Sequence, residues 1–283
     1  MAAASSLFSL SLLSLDPQIQ TLSFRTRFFP LTTKPRPFPT FKLSSSSHSH
    51  SSLTLSGGRF LSDDELRRLA SLESFLYCHE LRSGSLSVRV MRPHEMDPTV
   101  GLLAESFAES MLLPKAYVNV LAFLVNQYLM ERMALMPHAA TLVAFYTEEE
   151  EEEARLAGTV ELCFDKRGAN ASVPSPTPPK DSPYISNMAV HKSLRRRGIG
   201  WHLLKASEEL ISQMSASREV YLHCRMIDEA PFNMYTKADY KIVKTDSILV
   251  LLMLQRRKHL MCKKLPLLSM PSETDMTETE CVT

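Results

Sequence analysis

The sequence predicts an α/β protein of the α+β kind, in which a mixed central sheet carries helices on both faces. Segments with the two-residue alternation of strands and segments with the 3.6-residue period of helices follow one another in the order β-α-α-β-β-β-α-β-α-β-β. The 283-residue chain is 44% hydrophobic and 22% charged, which is a composition that can bury a core. No internal repeat is visible.

Four elements are predicted in the first half of the chain, and each depends on a local signal. Ser62 followed three residues later by Glu65 is typical of a capping box at a helix start, and Pro98 suits the first turn of a helix. The last of the four segments is apolar but is interrupted by Asn126 and Arg132, which favours a buried amphipathic helix over a membrane span because charges are costly inside a bilayer. In chain order, the elements are a helix from Ser62 to about Leu81, a strand at Ser87–Met91, a helix from Asp97 to about Met111 and a helix over Tyr117–Met136.

The second half of the chain predicts strands and helices that follow a long loop. Six consecutive glutamates, Glu148–Glu153, repel one another and predict a solvated hairpin tip. Residues 166–183 contain Pro, Ser and Gly and form a loop long enough to be a functional or disordered insertion. The elements are strands at Ala140–Tyr146, Ala157–Phe164 and Tyr184–Val190, a helix at Ile199–Met214, a strand at Val220–Met226, a short helix at Pro231–Lys237 and strands at Tyr240–Lys244 and Ile248–Leu254.

The two ends of the chain differ in composition from the middle. Residues 1–58 are rich in Ser, Leu, Phe and Pro, are nearly free of acids and lack a compact apolar run, which indicates a transit peptide rather than a secretory signal. The Ala-Ser start and the Pro-rich stretch Pro30–Pro39 favour a plastid over a mitochondrion. Residues 59–84 are predicted to be a helical extension, residues 85–255 the main domain, and residues 256–283 a basic and then disordered tail.

Charge and cysteine content exclude several classes of protein. The formal net charge is +1, and the basic surplus lies in the first 58 residues, so the predicted domain is slightly acidic. A nucleic-acid partner is therefore not expected. The five cysteines are dispersed and none has zinc-binding spacing, which predicts free thiols in a reducing compartment and no bound metal.

The segment with the clearest chemistry follows the strand Tyr184–Val190. Arg195-Arg-Arg-Gly-Ile-Gly200 begins a helix, and its glycines allow a tight turn close to a ligand. The first amides of a helix lack intrahelical partners and lie at the positive end of the helix dipole. Together with the arginine charges they predict a pyrophosphate site. A P-loop is excluded because Gly-Lys-Ser/Thr is absent, and a dinucleotide fold because a third glycine and an acidic ribose ligand are absent.

This loop resembles the Arg/Gln-x-x-Gly-x-Gly/Ala motif of the Gcn5-related N-acetyltransferases, with Arg195, Gly198 and Gly200 in register. Ile185–Val190 is similar to the central strand of that family, whose amides pair with the pantetheine arm of the cofactor. Asn233–Tyr240 is similar to its Leu-Tyr-x-x-x-Gly-Phe signature. The resemblance covers the whole predicted domain and implies a mostly antiparallel mixed sheet with acetyl-CoA as the co-substrate.

The resemblance also implies roles for individual residues. Tyr235 matches the general acid of the family; a tyrosine with a pKa of about 10 can protonate a leaving thiolate with a pKa of about 8.5. The position of Glu161 on the strand next to the central one makes it a candidate base or water relay; Asp165 is another candidate, and Ser186 and Asn187 could hold a relay water. The residues expected to bind the cofactor are Met188, Ala189, Val190, Arg195, Arg196, Arg197, Gly198, Ile199, Gly200, Trp201, Asp228 and Asn233.

Some residues depart from the family pattern or are assigned no chemistry. Asp239-Tyr240 replaces Gly-Phe, Asp228 stands where Asn is usual, and Pro231 where Ala is usual. These departures put the cofactor contacts of that segment in question but not Tyr235. The histidines considered as catalysts are interpreted as surface or satisfied core residues, and they are His191, His202 and His223.

The resemblance implies an enzyme that acetylates protein amines, either N-terminal α-amines or lysine ε-amines, in the plastid stroma by direct attack on the thioester. Two alternatives stay open. One is an acetyltransferase for small amines such as arylalkylamines or diamines, and the other is a non-catalytic acyl-CoA-binding scaffold. The groove for the acceptor is expected between the first two helices, the loop 166–183 and the last strands.

Overall fold

The computed structural model describes residues 61–149, 153–169, 176–253 and 256–266. The predicted transit peptide, the centre of the glutamate run, part of the long loop and the predicted disordered end lie outside the described residues.

The described residues form five α-helices and eight strands, joined in places by short 3-10 turns. In chain order the elements are helix α1 (Asp63–Ser74), strands β1 (Leu76–Leu81) and β2 (Gly84–Val90), helices α2 (Met96–Met111) and α3 (Val118–Ala134), strands β3 (Ala139–Glu148), β4 (Arg155–Cys163) and β5 (Tyr184–Val190), helix α4 (Ile199–Met214), strand β6 (Glu219–Arg225), helix α5 (Glu229–Lys237), and strands β7 (Lys241–Thr245) and β8 (Lys258–Lys264). The 3-10 turns are at Pro93–Glu95, Lys115–Tyr117, Lys192–Leu194 and Ile248–Met253.

The strands form one sheet in the order β1-β2-β3-β4-β5-β6-β8-β7. The β5–β6 pair is parallel and the other pairs are antiparallel, so the predicted mixed, mostly antiparallel sheet is confirmed. The parallel pairing is short, because its register consists of Tyr184 opposite Tyr221 and Ile185 opposite Leu222. Beyond Ile185 the two central strands diverge.

Each face of the sheet has its own apolar core. Leu72 of α1 and Leu203 of α4 belong to the large cluster on one face, together with buried residues of most of the strands. Leu103 of α2 and Leu129 of α3 belong to a second cluster on the other face. The prediction of helices on both faces is therefore confirmed, and the divergent strands lie between these two layers.

Several local predictions are confirmed. Helix α4 has the predicted bounds, and α3 buries one side against the domain rather than having the character of a membrane span. Ser62 and Glu65 form the predicted capping box, in which the Glu65 carboxylate accepts from the backbone N–H of Ser62 at 2.9 Å.

Three predictions at the edges of the domain are wrong. The first helix ends at Ser74 instead of Leu81, and Leu76–Leu81 is the edge strand β1. The apolar segment beginning at Ile248 is a 3-10 turn instead of a strand. The basic segment that follows is not a solvated tail, because Lys258–Lys264 forms β8 between β6 and β7. The sheet thus continues past both predicted domain boundaries.

Candidate active site

A β-bulge shapes the central strand at the point where it leaves β6. Thr159 pairs with Ala189 and Glu161 with Ser186, so Asn187 and Met188 of β5 together lie opposite a single residue of β4. Asn187 adopts a left-handed backbone conformation with φ of 47°. A bulge of this kind changes which face each side chain points to and exposes backbone groups. Here it lies beside the opening between β5 and β6.

Two adjacent cavities lie along this opening. The larger, of about 730 Å³, lies between β5, the start of α4 and α5. The smaller, of about 180 Å³, lies between β5, β6, α2 and the segment that leads into β8. Met188, Ala189 and Tyr235 line both cavities. A donor in one cavity and an acceptor in the other would therefore meet at these residues.

The larger cavity collects most of the residues predicted to bind the cofactor. Gly198 is the N-cap of α4 and has φ of 89°, a conformation that favours glycine, and this N-cap residue makes no side-chain hydrogen bond to the first amides of the helix. Those amides are available to an anion. The predicted residues that line this cavity are Met188, Ala189, Val190, Arg195, Arg196, Gly198, Ile199, Gly200, Trp201 and Asn233. Asp228 lines the smaller cavity instead.

The three consecutive arginines have different surroundings. Arg195 binds the Glu109 carboxylate of α2 through both terminal nitrogens, at 3.1 and 2.7 Å, and its hydrogen bonds hold the pKa of Glu109 below its usual value. Arg196 lines the larger cavity and, among the described residues, makes no ion pair or hydrogen bond. It is the free cation of the loop.

Arg197 makes contacts that the sequence did not predict, and its role in binding the cofactor stays a prediction. Its guanidinium donates to Glu148 at 2.7 Å and lies over the ring of Tyr146, 5.6 Å from the centroid. It lines neither cavity. Arg197 therefore connects the loop to the end of β3. Glu148, the first residue of the glutamate run, thus has a specific partner.

Tyr235 is held in place by the way α5 ends. The N–H of Tyr240 donates to the carbonyl of Tyr235, and the N–H of Asp239 donates to the carbonyl of Thr236, both at 3.0 Å. With Asp239 in a left-handed conformation at φ of 71°, this is a Schellman motif. The rings of Tyr235 and Tyr240 pack edge to face with centroids 6.0 Å apart. Tyr235 thus has little freedom to move away from the cavities.

The protonation of Tyr235 follows from its surroundings. The side chain is 8% exposed, and burial, followed by the nearby Cys224 and Asp228, raises the pKa of its hydroxyl above the usual value. The hydroxyl therefore stays protonated at physiological pH. A protonated hydroxyl at the junction of the two cavities can donate a hydrogen bond to a group bound there.

Comparisons with known proteins identify the family of this chain. Residues 113–240 match the Acetyltransferase (GNAT) family. The chain is 68% identical over 222 residues to the GCN5-related N-acetyltransferase 5, chloroplastic, of Arabidopsis thaliana, a match that covers 76% of this chain and 70% of the relative. The chain belongs to the GNAT family. It is therefore an acyltransferase of the acetyltransferase kind.

More distant similarities add detail without extending this conclusion. An N-alpha-acetyltransferase of Sulfurisphaera tokodaii is 36% identical over 61 residues, which is 22% of this chain and 36% of that protein. The crystal structure of a GNAT-family acetyltransferase from Streptococcus pneumoniae superposes with a TM-score of 0.43 at 16% identity, covering 64% of this chain and 99% of that one.

In this GNAT domain, Glu161 lies behind the cavities rather than in them. It is 2% exposed and forms an ion pair with Arg132 of α3. Its carboxylate also accepts from the hydroxyl of Tyr128 at 2.8 Å and from the side-chain amide of Asn187 at 2.7 Å. Asn187 lines the smaller cavity, whereas Glu161 does not. Glu161 therefore contacts the site through the bulge residue, and its role as a base stays a prediction.

The second candidate base, Asp165, has a structural position. Its carboxylate binds Arg68 at 2.9 Å and His138 at 2.8 Å, and the other nitrogen of His138 lies 3.0 Å from Glu65 of α1. Asp165 lines neither cavity. This cluster attaches α1 to the ends of β3 and β4.

His223 is a satisfied core histidine, as predicted, but it also lines the smaller cavity. Its Nε2 is 2.8 Å from the carbonyl oxygen of Pro176, which only accepts, so Nε2 carries the proton and Nδ1 accepts from the hydroxyl of Tyr184 at 2.7 Å. Burial, and then the charge of Lys258, lower the pKa of His223 to about 4. The ring is neutral and fixes one wall of the cavity.

The other two histidines also fit the prediction. His202 is 2.8 Å from the hydroxyl of Tyr77 and stacks on His79, and His191 is an exposed residue beside Ser193. Neither lines a cavity. Across the described residues, no group of His, Cys, Asp and Glu is arranged to hold a metal ion, and none of the helices there combines the length and apolar character needed to cross a membrane.

Proposed function

We propose that this chain is an acetyl-CoA-dependent N-acetyltransferase that acetylates protein amines, either the N-terminal α-amine or the lysine ε-amine, in the plastid. The observation that carries the proposal is the position of Tyr235, a protonated hydroxyl that lines both cavities. Family membership supports the acetyl donor, and the acceptor class and mechanism are our inference.

The residues of the larger cavity fit acetyl-CoA. Arg196 and the first amides of α4 match the charge of its pyrophosphate. Beyond Ile185, no strand of the described residues pairs with the edge of β5 that faces β6, which leaves backbone groups near Met188 for the pantetheine arm and the thioester carbonyl. Bound acetyl-CoA supplies an acetyl group activated as a thioester.

The chain's own residues would then carry the transfer. Backbone amides beside the bulge polarise the thioester carbonyl. The neutral amine of the acceptor attacks the carbonyl carbon, a C–N bond forms, and the C–S bond breaks. Tyr235 donates its proton to the departing sulfur. The proton released by the amine leaves through water held near Ser186 and Asn187, both of which line the smaller cavity.

Two further lines of support bear on the acceptor and the location. The N-alpha-acetyltransferase relative supports an α-amine acceptor, although its match covers 22% of this chain. The composition of residues 1–58 and the chloroplastic name of the Arabidopsis relative support a plastid. A fluorescent fusion carrying residues 1–58 that stayed in the cytosol would contradict the plastid assignment.

The decisive experiment supplies the purified full chain with acetyl-CoA and either a peptide library or a panel of small amines, with thiol release and product mass as readouts. Acetylated peptides support the proposal. Products from small amines alone would replace the protein acceptor with a small one. Acetyl-CoA binding without thiol release from any amine would indicate a scaffold.

A matched pair of variants tests the role of Tyr235. Tyr235→Phe removes the proton donor, and we expect turnover to fall about 10²- to 10⁴-fold while the affinity for acetyl-CoA stays within about twofold. Tyr240→Phe removes the same atom from the neighbouring buried ring, which lines neither cavity, and should leave turnover unchanged. Equal turnover in both variants would remove Tyr235 from the mechanism.

A further inference from the structure

The smaller cavity has an unbalanced positive charge. Three cationic side chains, Arg225, Arg256 and Lys258, line it against one carboxylate, Asp228. Asp228 is already paired with Arg225, whose Nε lies 2.6 Å from Oδ2. Arg256 donates to the carbonyl oxygen of Ser110 at 3.1 Å, which satisfies a donor without neutralising the charge.

Lys258 is the unusual member of this group. It is 6% exposed, and its ammonium forms no ion pair or hydrogen bond within the described parts of the chain. The carboxylate of Asp246 accepts from the backbone N–H of Lys258 at 2.9 Å. Lysine is almost never fully buried unless it is paired. The Lys258 ammonium is not among the fully buried side-chain atoms that lack a partner in the described residues, so it opens into the cavity, where a ligand can supply that partner.

The sheet register strengthens this reasoning. Lys258 of β8 lies directly opposite Arg225 of β6. Like charges directly opposite each other across two strands are destabilising. An anion between or beside the two cations reduces this repulsion. Asp228 forms its ion pair with Arg225 and leaves Lys258 without one.

We infer that the smaller cavity binds a carboxylate carried by the acceptor close to its reacting amine, with Lys258 and Arg256 as the specificity-determining cations. This inference deepens the proposed function and rests on it. The same chemistry occurs in an acidic residue next to the reacting amine of a polypeptide and in a free amino acid. Diamines, which bring positive charge, are disfavoured acceptors.

The test compares acceptors that differ only in charge. One pair is two short peptides that carry Asp or Asn beside the reacting amine, and the other is free glutamine, whose α-carboxylate adjoins its amine, and the α-carboxamide of glutamine. We expect kcat/KM to favour the acidic member by about tenfold, the size of a charge-assisted hydrogen bond. A preference within the peptide pair alone identifies the polypeptide source, and one within the amino-acid pair alone identifies the free amino acid.

Variants then connect the preference to Lys258. Lys258→Met should abolish the preference, and Lys258→Arg should retain it. Lys264→Met, at the exposed end of the same strand, is the matched control and should behave as the unaltered chain. If Lys258→Met does not fold, Arg256→Gln serves as the second variant and should reduce the preference.

Three outcomes overturn the inference. Equal kcat/KM within both pairs of acceptors removes the carboxylate while leaving the proposed function intact. A loss with Lys258→Met that is equal for both peptides identifies a structural role. If Lys258→Met raises the KM for acetyl-CoA and leaves the KM for the acceptor unchanged, Lys258 binds the donor and not the acceptor. Absence of thiol release with every acceptor would instead refute the proposed function, and the inference with it.

Discussion

Replacing Glu161 by glutamine should destabilise this protein strongly, because it leaves a cation buried without its counter-charge. The side chains of Arg132 and Glu161 are 4% and 2% exposed and form an ion pair. Removing one partner of a buried pair costs about 3–5 kcal/mol. Arg132 also donates to the carbonyl of Gly168 at 2.5 Å, an interaction that the substitution keeps. We therefore expect the lower end of this range, about 3 kcal/mol.

Urea denaturation measures this cost. With a slope of about 2 kcal/mol per molar urea, the midpoint should fall by about 1.5 M in Glu161→Gln. Glu109→Gln is the matched control, since it breaks an ion pair with Arg195 in which the side chains are 43% and 39% exposed. Exposed pairs contribute about 0–1 kcal/mol, so the midpoint should fall by less than about 0.5 M.

A double variant separates stability from catalysis. Arg132→Met together with Glu161→Leu replaces the whole pair by apolar side chains and should recover most of the lost stability. Equal midpoint shifts for Glu161→Gln and Glu109→Gln would refute the reasoning about burial. If the double variant folds and keeps its turnover, Glu161 is not the base.

Two further predictions concern the cofactor loop and the end of α5. Arg196→Ala should weaken the binding of acetyl-CoA about tenfold or more. Arg197→Ala should change it by less than about threefold, because Arg197 lines neither cavity and is paired with Glu148. Calorimetric titration of both variants measures the two affinities, and equal effects would contradict the assignment of Arg196 as the free cation. Asp239→Gly should raise the free energy of unfolding by about 1 kcal/mol, because a residue with a side chain is strained at φ of 71°; a lower urea midpoint would show that the aspartate is favoured there for another reason.

The sequence predicts the elements whose local signals agree with their environment. Helix α4 has a glycine at its start and a continuous apolar stripe, so its bounds could be read directly. Strand β1 could not, because it is an edge strand with mostly exposed residues and therefore lacks a regular apolar alternation. Strand β8 could not either, because its lysines resemble a solvated tail, although Lys258 is buried against β6.

The site was predictable as a set of residues but not as a geometry. The loop at Gly198 and the tyrosine at 235 are visible in the sequence, and the structure brings them to one opening in the sheet. The bulge at Asn187 depends on the pairing register of two strands, which a single sequence does not contain. The surroundings of Glu161 and Lys258 depend on the same long-range pairing, so their contacts appear only in the folded chain.

The spacing between Tyr235 and Tyr240 has a structural origin that explains why the departure at Asp239 is tolerated. In a Schellman motif, the third residue before the C-cap contacts the second residue after the C-cap. The first residue after the C-cap has a left-handed conformation. Tyr235, Asp239 and Tyr240 occupy these three positions. Glycine is favoured at the left-handed position only because that position has a positive φ. Aspartate is among the residues that adopt this conformation at a modest cost. The signature therefore specifies where the helix stops, and by stopping there it fixes the phenol at the junction of the two cavities.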